Sequence, residues 1–166
     1  MNQLTELVHL AQAGDVHAFS QLYETVYRDL YRFALYTLQH PQDAEDAVSE
    51  TVMDAFAQIT VLRKPEAFRS WIFRILSAKC NRHIRQYVNS AAPLDESVPA
   101  AGHDLNESID VRMAFAQLSR EERLILSMNL FAGYSSQEIG DVMGMSPNTV
   151  RSKQSRALKK MQSRLS

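Results

Sequence analysis

"SSQEIGDVMGMSPNTVRSKQSRALKKM", residues 135–161, decides how this chain is read. Ser135 with Glu138 fits a capping box, and Ile139, Val142 and Met143 recur at helical steps before Gly144, a residue suited to the left-handed end of a helix. Ser146 followed by Pro147 then fits an N-cap and first helical position. The spacing predicts a helix over 136–143, a three-residue turn at Gly144, Met145 and Ser146, and a second helix over 147–163, which is helix-turn-helix spacing. Ile139, Val142, Met143, Val150 and Leu158 make its small core. Asn148, Thr149, Arg151, Ser152, Ser155 and Arg156 are left facing outward. From 144 to 160 there is no acid, although Arg151, Lys153, Arg156, Lys159 and Lys160 stand in a chain of formal net charge −1. Such a helix suits the major groove: arginine reaches guanine O6 and N7 together, and lysines further along meet phosphates. Free amides at its capped N-terminus favour a phosphate as well.

Working outward, apolar spacing is helical nearly everywhere in the 166 residues, and no period-2 run stands out. The fold class is all-α. A short helix over 4–12 ends near Gly14, and Asp15 caps a second that aligns Phe19, Leu22, Tyr23, Val26, Leu30, Phe33 and Thr37 on one face. Pro41 starts a third helix, to about Ile59. Pro65 breaks the pattern before a fourth, over about 66–88. Residues 90–108, "SAAPLDESVPAAGHDLNES", have two prolines, no aromatic and no Lys or Arg, but include Asp95, Glu96, Asp104 and Glu107. They read as an extended acidic linker. Helices over 108–117 and 120–132 follow, the second with a capping box at Ser119 and Glu122. Two small helical domains result, 1–89 and 108–166, joined by the linker 90–107.

The fourth helix divides by angle. Phe68, Ile72, Ile75 and Leu76 form a packing face, whereas Ser70, Arg74, Ser77, Asn81 and Arg85 form a polar, basic stripe with Trp71 at its edge. Arg63 and Lys64 precede it. Cations beside an exposed indole suit single-stranded nucleic acid, since any base can stack on the ring. A core indole flanked by ordinary surface arginines fits the same pattern. On the third helix Asp43, Asp46, Glu50 and Asp54 share one sector, opposite Val48, Val52, Ala55, Phe56 and Ile59. That acidic face is either solvated or docks on a basic protein partner.

Several classes are disfavoured. His9, His17, His40, His83 and His103 are scattered and Cys80 is the single cysteine, so no metal site, cofactor or internal disulfide is expected. No apolar run is long enough for stable membrane insertion, and the start "MNQLTELVHL" lacks the basic and apolar regions of a secretory signal, which places the protein in the cytoplasm. No nucleophile with a base, and no paired-carboxylate pocket, points to an enzyme or a small-molecule substrate.

Taken in order, "AFSQLYETVYRDLYRFAL", "DAEDAVSETVMDAF", "FRSWIFRI" and "LSREERLILSMNLFAGYSSQEIGDVMGMSPNTVRSKQSRALKKM" resemble a bacterial RNA polymerase sigma factor of the extracytoplasmic-function type, over nearly the whole chain. The resemblance implies that residues 1–89 are sigma region 2, whose second and third helices bind the polymerase clamp, through Asp43, Asp46, Glu50 and Asp54, and which melts and recognises the minus-ten element. It assigns the unstacked strand to Arg63, Lys64, Phe68, Ser70, Trp71, Arg74, Ser77, Asn81 and Arg85. Residues 108–166 would be region 4, touching the polymerase flap and reading the minus-35 element with Asn148, Thr149, Arg151, Ser152, Lys153, Ser155, Arg156 and Lys159. The partners implied are core RNA polymerase, promoter DNA both duplex and single-stranded, and an anti-sigma factor. The linker would thread the polymerase channels, its carboxylates mimicking nucleic acid. Ser49 stands where such proteins often have Gln, Ala78 where many have Asn, and "LRKPEA" where a Gly/Asp-rich loop is common, so no minus-ten base preference carries over. The alternative is an autonomous helix-turn-helix regulator with an N-terminal sensing domain, which would bind promoters tightly without polymerase.

Overall fold

A computed structural model of the chain describes residues 2–90 and 106–165. Among the described residues every regular element is helical: α1 Gln3–Gln12, α2 Val16–Leu38, α3 Pro41–Gln58, α4 Phe68–Ser90, α5 Asn106–Ala116, α6 Arg120–Leu130, α7 Ser136–Met143 and α8 Pro147–Leu165. Two 3₁₀ turns, Ile59–Val61 and Pro65–Ala67, carry the chain from α3 to α4. Most of the segment expected as an acidic linker lies outside the described residues. α5 begins at Asn106, so Glu107 opens a helix rather than ending the linker.

Local chemistry sets the helix ends. Asp15 accepts the Ala18 N–H at 3.1 Å, and complete capping boxes form at Ser119/Glu122 and Ser135/Glu138. α2 ends less predictably, on Gln39 at φ 61°, a left-handed conformation that costs a non-glycine residue energy. The Gln39 amide holds the bend by donating to the carbonyls of Tyr36 at 2.9 Å and Arg112 at 3.5 Å.

In the N-terminal half, α2, α3 and α4 enclose Leu22, Leu30, Phe33, Phe68, Ile72, Phe73 and Leu76, with the Phe33 and Phe73 rings 5.7 Å apart. The predicted face of α2 is buried, Tyr23 only partly, but Ala34 and Tyr36 are buried too. The reason is that the C-terminal helices pack on a second face of α2. Tyr36 enters the C-terminal core, its ring centroid 5.3 Å from both Phe115 and Phe131. α6 lies between the halves, and six consecutive residues, Arg123 to Met128, are buried because both of its sides are covered.

Polar groups close the same contact. Thr37 Oγ1 donates to Ser127 Oγ at 2.6 Å, and Arg123 donates through Nε to the Thr37 carbonyl and through Nη1 to the Leu118 carbonyl, both at 2.8 Å. Burial, with nearby Arg120 adding to it, pushes the Arg123 guanidinium down to about 10. It remains a cation at neutral pH. At the rim, Tyr134 Oη donates to the Ser70 carbonyl at 2.6 Å, and Arg69 donates to the Phe131 carbonyl at 3.1 Å while lying 4.7 Å from the Phe73 ring centroid.

Candidate nucleic-acid interface

α7, the turn and α8 form as the spacing predicts. Gly144, at φ 72°, ends α7 in the left-handed region, and Ser146 Oγ accepts the Thr149 N–H at 3.2 Å to start α8. Gly140 is a residue the sequence reading passed over. A Cβ there would lie well under 3.0 Å from the Met145 carbonyl oxygen, and the Gly140 carbonyl itself accepts from Gly144 N at 2.8 Å and Met145 N at 3.1 Å. The turn closes this tightly only over glycine. A glycine followed four residues later by a second one at the helix end was the available signal.

On α8, Asn148, Thr149, Arg151, Ser152, Ser155, Arg156 and Lys159 are exposed. Arg151 donates to the Asn148 side chain one turn before it, while the Thr149 hydroxyl is engaged with Ser146 at 3.0 Å. The five cations are not equivalent. Lys153 meets Glu121 at 2.5 Å and Lys160 meets Glu122 at 3.0 Å, so the two acids that open α6 neutralise two of them. Burial alone would raise the Glu122 carboxyl, but the Ser119 N–H and the Lys160 ammonium outweigh it and hold it below the usual carboxylate range. Lys153 is thereby tied to α6, against the expectation that it faces DNA. Arg151, Arg156 and Lys159 stand outward without a carboxylate partner among the described residues.

The α4 stripe is redrawn in part. Ser70, Arg74 and Arg85 are exposed and Asn81 half-buried, with Arg63 and Lys64 exposed in the loop before. Phe68, at 1 % exposure, is core and cannot contact DNA in this fold. Ser77, at 0 %, is also buried and donates to the Phe73 carbonyl at 2.8 Å, its hydroxyl satisfied within its own helix. Ala78 takes its place on the open face. The correction has one cause: Phe73, Ser77, Cys80 and Ile84 form a second buried row, so α4 buries a wider sector than one packing face requires. Trp71 is half-buried and tilted on Phe68 at 6.2 Å between centroids, with part of the indole left open. Arg74 is near enough to Tyr134 to oppose the rise that burial imposes on its hydroxyl.

On α3, Asp46 and Glu50 are exposed and Asp43 half-buried near His40. Asp54 is paired with Lys79 of α4 at 2.5 Å. Phe56 leaves the packing face assigned to it: its edge rests on Phe19 at 5.1 Å, but it is 37 % exposed, beside Met53 at 72 %. The acidic face therefore carries an apolar margin. Among the described residues no three His, Cys, Asp or Glu side chains gather as metal ligands, and no helix is long and apolar enough to cross a membrane. Cys80 is fully buried, and burial pushes its thiol up, away from reactivity.

Comparison with known proteins agrees with this division of the chain. The sigma-70 region 2 family matches residues 22–89, and the sigma-70 region 4 family matches residues 108–161. The ECF RNA polymerase sigma factor SigM of Mycobacterium tuberculosis is 31 % identical over 155 residues, covering 92 % of this chain and 79 % of that protein. The RNA polymerase sigma factor SigV of Bacillus subtilis is 27 % identical over 141 residues, covering 83 % and 85 %. Among solved structures, CnrH in complex with the cytosolic domain of CnrY has a TM-score of 0.66 at 26 % identity, covering 96 % of this chain and 94 % of that one. The sigma factor RpoE of Bartonella quintana, in complex with the anti-sigma factor NepR, has a TM-score of 0.68 at 27 % identity, covering 90 % and 98 %. With both signature regions in order along one all-helical chain, the protein belongs to the extracytoplasmic-function family of RNA polymerase sigma factors.

Proposed function

We propose a division of labour for this sigma factor, residue by residue. As a sigma factor the chain binds core RNA polymerase and directs promoter recognition and initiation. Residues 108–166 read the upstream, minus-35 element through α8, with Arg151 and Arg156 on base edges and Lys159 on phosphate, and Asn148, Thr149, Ser152 and Ser155 adding polar contacts. Residues 1–89 dock on the clamp and hold the melted minus-ten strand along Arg63, Lys64, Ser70, Trp71, Arg74, Asn81 and Arg85. Asp46 and Glu50, with Met53 and Phe56 beside them, offer a charged rim around an apolar anchor, the composition of a protein docking surface. The observation that carries the proposal is the selective neutralisation on α8. Glu121 and Glu122 take up Lys153 and Lys160, and leave Arg151, Arg156 and Lys159 for a ligand outside the chain.

The protein acts in the cytoplasm with the polymerase, and its work needs no cofactor, metal or small-molecule substrate. That the two solved structures described above are complexes, one of them with an anti-sigma factor, supports a regulator of that kind here. Runoff transcription with core polymerase tests the whole reading. Promoter-specific transcripts are expected with core. Nanomolar, sequence-specific gel shifts by the chain alone would favour the autonomous regulator instead, since one small helix-turn-helix domain offers few contacts by itself.

The lysines give a finer test. In holoenzyme, Lys159→Ala is expected to flatten the log–log salt dependence of promoter binding by about one unit, as one released counterion is lost. Lys153→Ala should leave that slope in place, because its charge is already compensated by Glu121. Equal slopes for the two variants would return Lys153 to the DNA face.

A further inference from the structure

We propose that Gln12, the last residue of α1, is a positioning residue for the melted strand: its side-chain amide fixes the loop that presents Arg63 and Lys64. The proposal rests on the assignment of those two cations to the single strand made above. α1 has no part in the sites described so far, yet it packs against both 3₁₀ turns between α3 and α4. Half-buried Gln12 donates through Nε2 to the Ile59 carbonyl at 3.0 Å and to the Leu62 carbonyl at 2.8 Å, forty-seven and fifty positions along the chain. A primary amide has two N–H groups, so both are spent on this one turn. The Ile59 carbonyl already accepts the Leu62 N–H at 3.1 Å. The second bond there is therefore not needed to satisfy that oxygen; it ties the turn to α1.

The Leu62 bond governs direction. That carbonyl belongs to the peptide plane joining Leu62 to Arg63, and a planar peptide held at its oxygen fixes where the Arg63 N–H and Cα stand. The side chains of Ile59 and Leu62 are buried in the core, so the turn is anchored there as well. On the other side, Pro65 keeps Lys64 extended, at φ −113° and ψ 114°, and the Lys64 carbonyl accepts the Ala67 N–H at 2.9 Å. Arg63 and Lys64 are thus the two residues between fixed points, and both are exposed. Gln12 is itself firmly placed. Val8 and Ala11 of the same helix are buried, and Gly14 at φ 100° turns the chain away just after it. Without the amide, the loop keeps its two apolar anchors but gains rotation about the Leu62–Arg63 peptide. The cations then spend part of their time aimed away from the strand, and ordering them again weakens binding.

Holoenzyme made with full-length Gln12→Leu tests this, since leucine keeps a similar volume and removes both donors. The probe is a fluorescein-labelled oligonucleotide carrying the non-template minus-ten strand of a promoter that this holoenzyme transcribes, and binding is read by anisotropy. Affinity is expected to fall about fivefold to tenfold, while binding to core and to an upstream-element duplex stays within about twofold of wild type. Amide hydrogen exchange of a peptide spanning 59–67 should quicken as well. Arg63→Ala with Lys64→Ala should cost about tenfold or more. Adding Gln12→Leu to that pair should cost less than about twofold further, because nothing is left to position. Wild-type affinity in Gln12→Leu, or an undiminished loss in the paired background, overturns the proposal. A paired variant that binds the strand as well as wild type removes the strand assignment, and the positioning role with it, while quickened exchange would still register the tether. Should Gln12→Leu not fold, Gln12→Asn, one methylene too short to reach both carbonyls, carries the same comparison with the same outcomes.

Discussion

Gly140→Ala should destabilise the C-terminal half by about 2–3 kcal/mol, lowering Tm by roughly 5–10 °C, and should remove upstream-element recognition with it. In an ordinary helix interior the same change would gain up to about 1 kcal/mol of propensity, so the sign of the result is itself diagnostic. The added methyl meets the backbone oxygen of Met145, not the end of a flexible side chain. That backbone cannot retreat cheaply, because Gly140 accepts from both Gly144 N and Met145 N. Relief requires the turn to open, which rotates α8 against α7 and carries Arg151 and Arg156 off their register. Gly133→Ala is the control. Gly133, unlike the helical Gly140, is at positive φ, 73°, and nothing lies within 4 Å of a Cβ there, so only the backbone strain of about 1–2 kcal/mol applies. Thermal melts of both variants decide the matter. A Gly140→Ala protein as stable as wild type would mean that the turn has slack the structure does not show.

Arg151→Ala combined with Arg156→Ala is expected to weaken holoenzyme binding to the upstream element by on the order of a hundredfold or more, if each bidentate base contact contributes about 1–3 kcal/mol. Both side chains are exposed and touch no core group, so stability should stay within about 0.5 kcal/mol of wild type. The loss should be specific. Discrimination among upstream sequences falls, whereas contacts at the melted minus-ten strand, supplied by the other half, persist. Competition binding of holoenzyme to promoters altered one base pair at a time reads this directly. Unaltered discrimination by the double variant would mean that α8 contacts only phosphates and that the reading of sequence lies elsewhere. The prediction depends on the structure as well as on the motif: Asn148 holds Arg151 one turn along, and no acid among the described residues competes for Arg156.

Caps, turns and helical faces were legible in the sequence because they depend on neighbours three and four residues apart. Asp15, Ser119, Ser135 and Ser146 act as N-caps where the spacing put them, and the turn from Gly144 to Ser146 follows from the residues flanking it. The all-helical class, the two regions and their order follow from the same local rules. Helical periodicity gives the angle at which a side chain leaves its helix, but not what stands opposite. That is why Phe68 and Ser77 had to be removed from the DNA face: α4 buries a second row, and a stripe drawn on one helix has no knowledge of the helices covering it. It is also why Lys153 counted with Arg156 until Glu121, thirty-two positions away, came within 2.5 Å. Tyr36 looked like one more helix residue, yet it joins the core of the other half. Composition and local spacing determined that this chain carries a basic second helix in a helix-turn-helix and an acidic face on its third helix. Only the tertiary structure decided which cations remain free and that the two halves hold each other, because charge compensation and burial are properties of pairs brought together by packing, not of positions along a chain.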